Sequence, residues 1–254
     1  MDNTQRFSNR VDNYVKYRPH YPKEIISYLN TEINFNASFA VADIGSGTGI
    51  LTELFLQNDN KVFAVEPNAA MRLKAEELLS HYENFISVDS TAEDTKLDKE
   101  SIDLIIAGQA FHWFDAVKTK TEFIKIAKPD AHAALIWNER ENVTELEKEY
   151  DKFLLKYATD YEKIDHKNIT PEKIEAFFHP QPVKVAAFAN EQVFDFEGLK
   201  GRLLSSSYIS TEENEKYFLM LKDLKELYEK YQKNNAVKFN YLTKLFLGRI
   251  KNLQ

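Results

Sequence analysis

The chain has 254 residues, 43% of them hydrophobic, and carries 33 Lys and Arg against 40 Asp and Glu, a formal net charge of −7. This length suits one α/β domain with a covering element. The acidic balance argues against a nucleic-acid partner, because a diffuse negative field repels phosphate. The absence of cysteine excludes a disulfide framework and a thiolate metal site. Because no apolar run is long enough to span a membrane and no apolar signal opens the sequence, we predict a cytoplasmic protein with no membrane partner.

The first predicted element is a helix near the start of the chain. Phe7, Val11, Tyr14 and Tyr17 recur at helical spacing, which predicts an apolar stripe that docks on a core. We assign residues 1–38 to an N-terminal helical cap.

The most informative segment follows, where an apolar strand leads into three alternating glycines, Gly45, Gly47 and Gly49. Glycine tolerates positive φ and lets the backbone approach a ligand closely. The third glycine comes one residue too early for the dinucleotide pattern G-x-G-x-x-G, so the spacing argues against NAD. Asp43 would repel a pyrophosphate but suits an ammonium group. S-adenosylmethionine carries an ammonium group, a sulfonium, a ribose diol and an adenine.

Two further strand patterns follow the glycine turn. Residues 50–56 have apolar positions at helical spacing, and residues 62–65 form a short apolar run, which together predict a βαβ unit. Ligands of doubly wound sheets lie outside the carboxyl ends of the strands, so Glu66 can accept both hydroxyls of a ribose. A third run, residues 85–88, leads into residues 89–93, where backbone groups and a small side chain can form the edge of an adenine pocket.

A fourth apolar run, residues 102–107, leads into the polar and aromatic residues 108–113, and a fifth run covers residues 133–137. Strand and helix patterns alternate throughout this part of the chain. The alternation predicts an α/β fold with a doubly wound parallel sheet.

Residues 39–140 resemble the class I S-adenosylmethionine-dependent methyltransferases. The family pattern of an acid before Gly-x-Gly-x-Gly, an acid after the second strand and Ala-Glu after the third is matched by residues 43–49, Glu66, and Ala92 with Glu93. Thr91 departs from the pattern, because many members carry an aspartate there. The resemblance implies a Rossmann-like, seven-stranded, mostly parallel sheet with an antiparallel edge strand and a helical lid. It also implies S-adenosylmethionine as cofactor and S-adenosylhomocysteine as its product.

Three further segments resemble the small-molecule branch that includes the trans-aconitate methyltransferases: residues 14–22, 109–113 and 202–208. This resemblance implies a small-molecule methyl acceptor. The expected reaction is an SN2 transfer to an oxygen or nitrogen nucleophile, with a carboxylate as one candidate.

The motifs and the resemblance together give the candidate site residues. The cofactor-binding candidates are Tyr14, Arg18, Asp43, Gly45, Ser46, Gly47, Glu66, Pro67, Thr91, Ala92, Glu93 and Gln109. The catalytic candidates are His112 and Trp113, which follow the fourth strand where the cleft opens. His112 has a suitable pKa to accept a proton from a hydroxyl or amine, whereas a carboxylate acceptor needs no base. Core packing is the alternative interpretation of this aromatic pair.

The spacing leaves open the roles of Tyr14, Arg18 and Gln109. Tyr14 and Arg18 either belong to the packed stripe of a helix or reach the carboxylate of the cofactor's methionine part, because Arg favours carboxylates. Gln109 could hold the ammonium group through its backbone carbonyl rather than its side chain.

Beyond Asn138 the alternation stops. The sequence predicts helices at residues 143–161, 171–178, 198–206 and 212–232, and strands at residues 183–188, 192–196 and 237–247. We predict that the last of these is the antiparallel edge strand. Residues 39–140 then form the cofactor-binding core, and residues 141–254 supply a helical lid and complete the sheet, within one structural domain.

Other chemistries have little support. The sequence has no Gly-x-Ser-x-Gly elbow, no P-loop and no close metal-ligand spacing among its six histidines, so no metal is expected. Two alternatives stay open: a nucleic-acid methyltransferase, which the segment 109–112 does not resemble, and a noncatalytic S-adenosylmethionine-binding protein. We expect a monomer or homodimer.

Overall fold

The computed structural model describes residues 11–158, 170–206, 209 and 216–251 and has a seven-stranded sheet at its centre. The strands are β1 (Ala40–Ile44), β2 (Lys61–Val65), β3 (Phe85–Val88), β4 (Ile102–Gly108), β5 (Ala127–Arg140), β6 (Val183–Phe194) and β7 (Val237–Arg249). They stand in the order β3-β2-β1-β4-β5-β7-β6. The first five of these pair in parallel, and β7 is antiparallel to both its neighbours. The predicted doubly wound, mostly parallel sheet is confirmed.

The last two strands differ from the prediction in detail. β7 is antiparallel as predicted, but it lies between β5 and β6, so β6 occupies the edge position that we predicted for residues 237–247. The prediction of two separate strands at residues 183–188 and 192–196 is wrong, because β6 is continuous over 12 residues. Asn190 interrupts the apolar pattern, yet it pairs in register with Tyr241 of β7.

Helices cover both faces of the sheet. They are α1 (Val11–Tyr17), α2 (Glu24–Ile33), α3 (Ile50–Leu56), α4 (Ala69–Leu79), α5 (Ala116–Ile126), α6 (Glu145–Tyr157), α7 (Pro171–Phe178), α8 (Phe196–Leu204) and α9 (Tyr217–Tyr231). The predicted position Phe7 and the predicted helical residues 159–161 and 212–215 lie outside the described residues. α8 begins two residues earlier than predicted, because Asp195 caps it by accepting a 2.7 Å hydrogen bond from the Gly198 amide.

The central strands are apolar on both faces because helices bury each face. Val41 and Leu104 pack with α2 and α3 on one face, whereas Ala42 and Ile105 pack with Phe123 of α5 on the other. Successive residues of a strand point to opposite faces, so double burial produces the continuous apolar runs seen in the sequence.

A third apolar cluster lies beyond the sheet and forms the helical cover. It joins α6, α8, α9 and the start of β7 through buried side chains such as Leu154, Leu199, Leu224 and Phe239. We call these three helices the cap, which is distinct from the N-terminal helical cap predicted at residues 1–38. Their apolar contacts fix them against the antiparallel end of the sheet.

Candidate functional site

A cavity of about 660 Å³ lies at the carboxyl ends of the parallel strands, where the strand order reverses between β1 and β4. Doubly wound sheets bind ligands at this position. All the candidate residues line the cavity: Tyr14, Arg18, Asp43, Gly45, Ser46, Gly47, Glu66, Pro67, Thr91, Ala92, Glu93, Gln109, His112 and Trp113. The structure therefore brings together residues that are up to 99 positions apart in the chain.

The glycine turn forms a bare wall of the cavity. Gly45 has φ +70°, and a Cβ there would lie 2.7 Å from the Ala110 Cβ. The amides of Gly45 and Ser46 both donate to the Val65 carbonyl, at 2.9 and 3.1 Å. The turn is thus fastened to the end of β2, and any side chain at Gly45 would push into the loop after β4.

Glu66 is held rigidly at the end of β2. Its Oε2 accepts a 2.8 Å hydrogen bond from the Gly47 amide, and its Oε1 accepts one of 2.8 Å from the Asn68 amide. Burial raises the pKa of Glu66, while these backbone donors act in the opposite direction. Each carboxylate oxygen keeps a further lone pair, so the group can still accept hydrogen bonds from a ligand.

Asp43 is fully buried at the end of β1. Its Oδ2 accepts a 2.6 Å hydrogen bond from the Thr52 hydroxyl, whereas its Oδ1 has no hydrogen-bond partner within the part of the chain that the structure describes. Burial raises the pKa of Asp43 to about 7. A buried acceptor without a partner is costly, and a cationic group in the cavity would satisfy it.

The loop after β4 shapes the next wall. Gln109 has φ +54°, its amide donates to the Ile136 carbonyl at 2.9 Å, and its Nε2 donates to the Asn138 carbonyl at 2.9 Å. A short 3₁₀ turn, Phe111–Trp113, follows. Phe111 packs in the core, while the half-buried rings of His112 and Trp113 lie 4.5 Å apart between centroids and line the cavity.

The turn after β3 closes the side of the cavity next to Glu66. Thr91 is exposed and pairs with Asp94 in an isolated bridge, and Ala92 is buried. The Glu93 Oε1 accepts a 3.0 Å hydrogen bond from the Asp115 amide, at the start of α5. Glu93 therefore links this turn to the next helix.

The segment after α1 covers the opposite side. The Arg18 guanidinium lies 4.9 Å from the centroid of the Tyr14 ring and donates to the Ser205 carbonyl at 3.1 Å. Burial raises the pKa of Tyr21 well above its usual value, so its phenol stays protonated. A Cβ on Gly108 would lie 2.5 Å from the Tyr21 hydroxyl, which shows how closely this segment approaches β4.

The late Arg–Ser segment lies against the same wall. Arg202 lines the cavity and donates to the Ser206 hydroxyl at 3.2 Å. Ser205 and Ser206 are buried, and the Ser205 hydroxyl donates to the Arg202 carbonyl at 2.7 Å. Ser207 and Tyr208, which the sequence resemblance also included, lie outside the described residues.

The charged far end of the cavity could not be predicted from the local sequence pattern. Arg140 at the end of β5 forms an ion pair with Asp151 of α6 and lies 4.8 Å from the centroid of the Tyr150 ring. Lys244 of β7 forms a 2.6 Å ion pair with Glu139. Polar residues directly after an apolar strand are the available signal for Arg140, but Lys244 reaches the cavity only through the pairing of β7 with β5.

Residues 11–158, 170–206, 209 and 216–251 contain no group of three or more His, Cys, Asp or Glu placed to hold a metal ion. None of the helices described there is both long and apolar enough to cross a membrane.

Comparisons with known proteins agree with this geometry. Residues 42–135 match a methyltransferase domain family. An uncharacterised methyltransferase of Schizosaccharomyces pombe is 28% identical over 93% of this chain and 94% of its own length. A structure assigned as a type II methyltransferase of Anaeromyxobacter dehalogenans has a TM-score of 0.67 and 20% identity, covering 92% of this chain and 98% of that one. A phosphoethanolamine N-methyltransferase of Haemonchus contortus, solved with S-adenosyl-L-methionine, has a TM-score of 0.57 and 14% identity over 98% of this chain and 58% of that one.

Proposed function

We propose that this chain, a methyltransferase by its similarities and its Rossmann-like fold, uses S-adenosylmethionine to methylate a small molecule at an oxygen or nitrogen nucleophile. The observation that carries the proposal is the pair of buried carboxylates, Asp43 and Glu66, at the ends of adjacent strands beside a bare glycine wall. One carboxylate keeps an oxygen without a partner among the described residues, and the other is held by two backbone amides.

These residues fit the polar groups of the methyl donor. Asp43 would hold the ammonium group, helped by the Gln109 carbonyl, and Glu66 beside Pro67 would accept from the ribose hydroxyls. Thr91, Ala92 and Glu93 would border the adenine, and the donor's carboxylate would lie near Tyr14 and Arg18. Gly45, Ser46 and Gly47 leave room for it, because two of these three residues have no side chain that would fill the space.

The far end of the cavity supports a small anionic acceptor. Arg140 and Lys244 place two cationic groups there, each paired with one of the acids Asp151 and Glu139. Arg140 is already oriented by Asp151 and Tyr150, so an acceptor carboxylate would meet a guanidinium with little freedom left to lose. Residues from the segment after α1 and from α6, α7 and α8 line the cavity, and this cover suits a small acceptor better than a polymer.

The chemistry that this chain must supply is mainly positioning. S-adenosylmethionine provides a methyl group on a positively charged sulfur. The protein holds the nucleophile in line and excludes water, which together can supply much of the reduction in the barrier. His112 and Trp113 border the proposed transfer position. His112 would take the proton from a hydroxyl or amine acceptor, whereas a carboxylate would react without it.

A screen of small carboxylic acids, phenols and amines for S-adenosylhomocysteine formation tests the function. We expect turnover with at least one anionic acceptor, and a loss of about tenfold or more in donor affinity in Glu66→Gln, because that substitution turns one ribose acceptor into a donor. Glu83→Gln, at an exposed turn, is the matched control.

Two results would contradict the proposal. Donor binding without product from any acceptor class would favour a noncatalytic binding protein. Salt-dependent binding of tRNA with methylation of the nucleic acid would favour a nucleic-acid substrate, against the net charge of −7.

A further inference from the structure

The segment between α1 and α2 lines the cavity without regular secondary structure. Side-chain amides from the sheet bind the last backbone carbonyl of α1 and two carbonyls of this segment. Gln192 Nε2 donates to the Tyr17 carbonyl at 3.1 Å. Asn138 Nδ2 lies 3.3 Å from the Pro19 carbonyl and 3.4 Å from that of His20. Asn190 Nδ2 donates to the His20 carbonyl at 2.7 Å.

The hydrogen bonds on the sheet side fix which way the buried Asn138 amide points. The Thr243 hydroxyl lies 2.5 Å from Asn138 Oδ1, and Asn190 Nδ2 lies 3.1 Å from the same oxygen. Because the Asn190 amide nitrogen can only donate, the oxygen of Asn138 faces β6 and β7. Its NH₂ group therefore faces the segment, and neighbouring strands determine this orientation.

The same residue also contacts the opposite wall of the cavity. The backbone carbonyl of Asn138 accepts a 2.9 Å hydrogen bond from Gln109 Nε2, in the loop that leads to His112. The segment it fastens carries Arg18 and Tyr21, which line the cavity. Asn138 thus connects the N-terminal wall to the wall that follows β4.

We propose that Asn138, Asn190 and Gln192, which we call the amide clasp, are positioning residues for methyl-donor binding. They hold residues 17–20 across the cavity and thereby set the places of Tyr14, Arg18 and Tyr21. The proposal rests on the proposed function. It gives edge strand β6 a role in cofactor binding although neither Asn190 nor Gln192 lines the cavity.

A purely structural role would make a different prediction. If the amides only satisfy the carbonyls of a terminal segment, their loss lowers the stability of that segment and leaves donor affinity unchanged. If they position the segment, donor affinity falls while the sheet stays intact. Measurements on the segment, on the sheet and on the donor therefore separate the two roles.

The test uses the full chain with Asn190→Asp and Gln192→Ala. The first keeps the shape but places a carboxylate against the His20 carbonyl, and the second removes the side-chain amide that donates to the Tyr17 carbonyl. Val185→Thr is the matched control, because Val185 lies on the same strand and is 60% exposed. Hydrogen exchange measures residues 11–22 and the strands separately, and calorimetry with S-adenosylhomocysteine measures affinity.

We expect faster exchange at Tyr17, Arg18 and His20, unchanged exchange in β1 and β4, and S-adenosylhomocysteine affinity that is about fivefold lower in each clasp variant, as one lost hydrogen bond implies. The control should match the wild type. If Asn190→Asp also makes exchange in the strands faster, the Gln192→Ala variant alone decides between the positioning role and the structural role. Faster exchange with unchanged affinity, or unchanged exchange, overturns the clasp and leaves the proposed function intact. A wild-type protein that binds no donor product overturns both.

Discussion

At the scale of single residues, Asp43 connects the cavity to pH. Burial raises the pKa of Asp43 from 3.8 to about 7. Between pH 3.8 and pH 7, Asp43 therefore keeps a proton in the folded chain that it has released in the unfolded chain. A raised pKa contributes stability below pH 4 that is lost as pH rises to 7. We therefore expect Asp43→Asn to gain stability relative to the wild type over this range, by up to about 4 kcal/mol, measured by urea unfolding at pH 4 to 8. Asp98→Asn, in an exposed loop, should show no such trend.

The same titration should govern ligand affinity in the opposite direction. An ammonium group favours the ionised carboxylate, so affinity for S-adenosylhomocysteine should fall as pH drops from 8 to 6, by about tenfold per pH unit below the pKa. Asp43→Asn should bind weakly with a flat profile. An unchanged profile in this variant would place the titrating group elsewhere.

Some site residues could be predicted from the sequence and others could not, depending on how far away in the chain their contacts lie. The glycine turn and Glu66 could be predicted from the sequence, because short-range spacing fixes a turn and the end of a strand. Asn138 and Arg140 were missed, because their partners lie on α6, β6, β7 and the segment after α1, as far as 119 residues away in the chain. A polar residue after an apolar strand indicates an edge of the cavity, but only the assembled sheet shows what it contacts.

At the scale of elements, the start of α6 depends on one buried carboxylate. Glu147 Oε2 accepts from the amides of Val143 and Thr144 at 2.9 Å, and the Thr144 hydroxyl accepts from the Glu147 amide at 3.3 Å, which is a capping box. Glu147 Oε1 also accepts from both nitrogens of Asn240, at 2.8 and 2.9 Å. The helix is thus capped and fastened to β7 by the same side chain.

Replacing the Glu147 side chain should destabilise the start of α6. We expect Glu147→Ala to lower the free energy of unfolding by about 3 kcal/mol, because it removes the buried carboxylate that accepts four hydrogen bonds from Val143, Thr144 and Asn240. Glu145→Ala, two residues earlier in the same helix and exposed, should cost less than about 0.5 kcal/mol. Denaturant unfolding of both variants compares them. Equal losses would mean that neither the capping box nor the link to β7 adds to stability.

The elements also show what limited the prediction of the fold. β1 and β4 could be predicted because both of their faces are buried, which produces short continuous apolar runs. β2 and β3 have similar apolar runs, although β3 lies at the edge of the sheet and is only half-buried. β5 extends six residues before its predicted start, through Lys128 and Asp130, where no apolar pattern marks it. β6 is one strand because β7 pairs with its whole length, a contact between distant segments that local patterns do not contain.

At the scale of the whole molecule, the cavity is where the N-terminal segment, the sheet and the cap meet. Tyr14 and Arg18 come from the first, Asp43 and Glu66 from the second, and Arg202 from the third. A ligand that contacts all three couples their unfolding, and a ligand that binds only the folded state stabilises the whole.

S-adenosylhomocysteine should therefore shift a single unfolding transition. At a concentration of about 100 times its dissociation constant the gain is about 2.7 kcal/mol, which for a chain of this length raises the melting temperature by roughly 5–10 °C. Calorimetric unfolding with and without the ligand measures the shift, and Glu66→Gln should shift much less at the same concentration. If the cap were an independent unit, the scan would show two transitions and the ligand would move only one. One transition that moves as a whole requires the cap and the sheet to unfold together, as the shared cavity wall predicts.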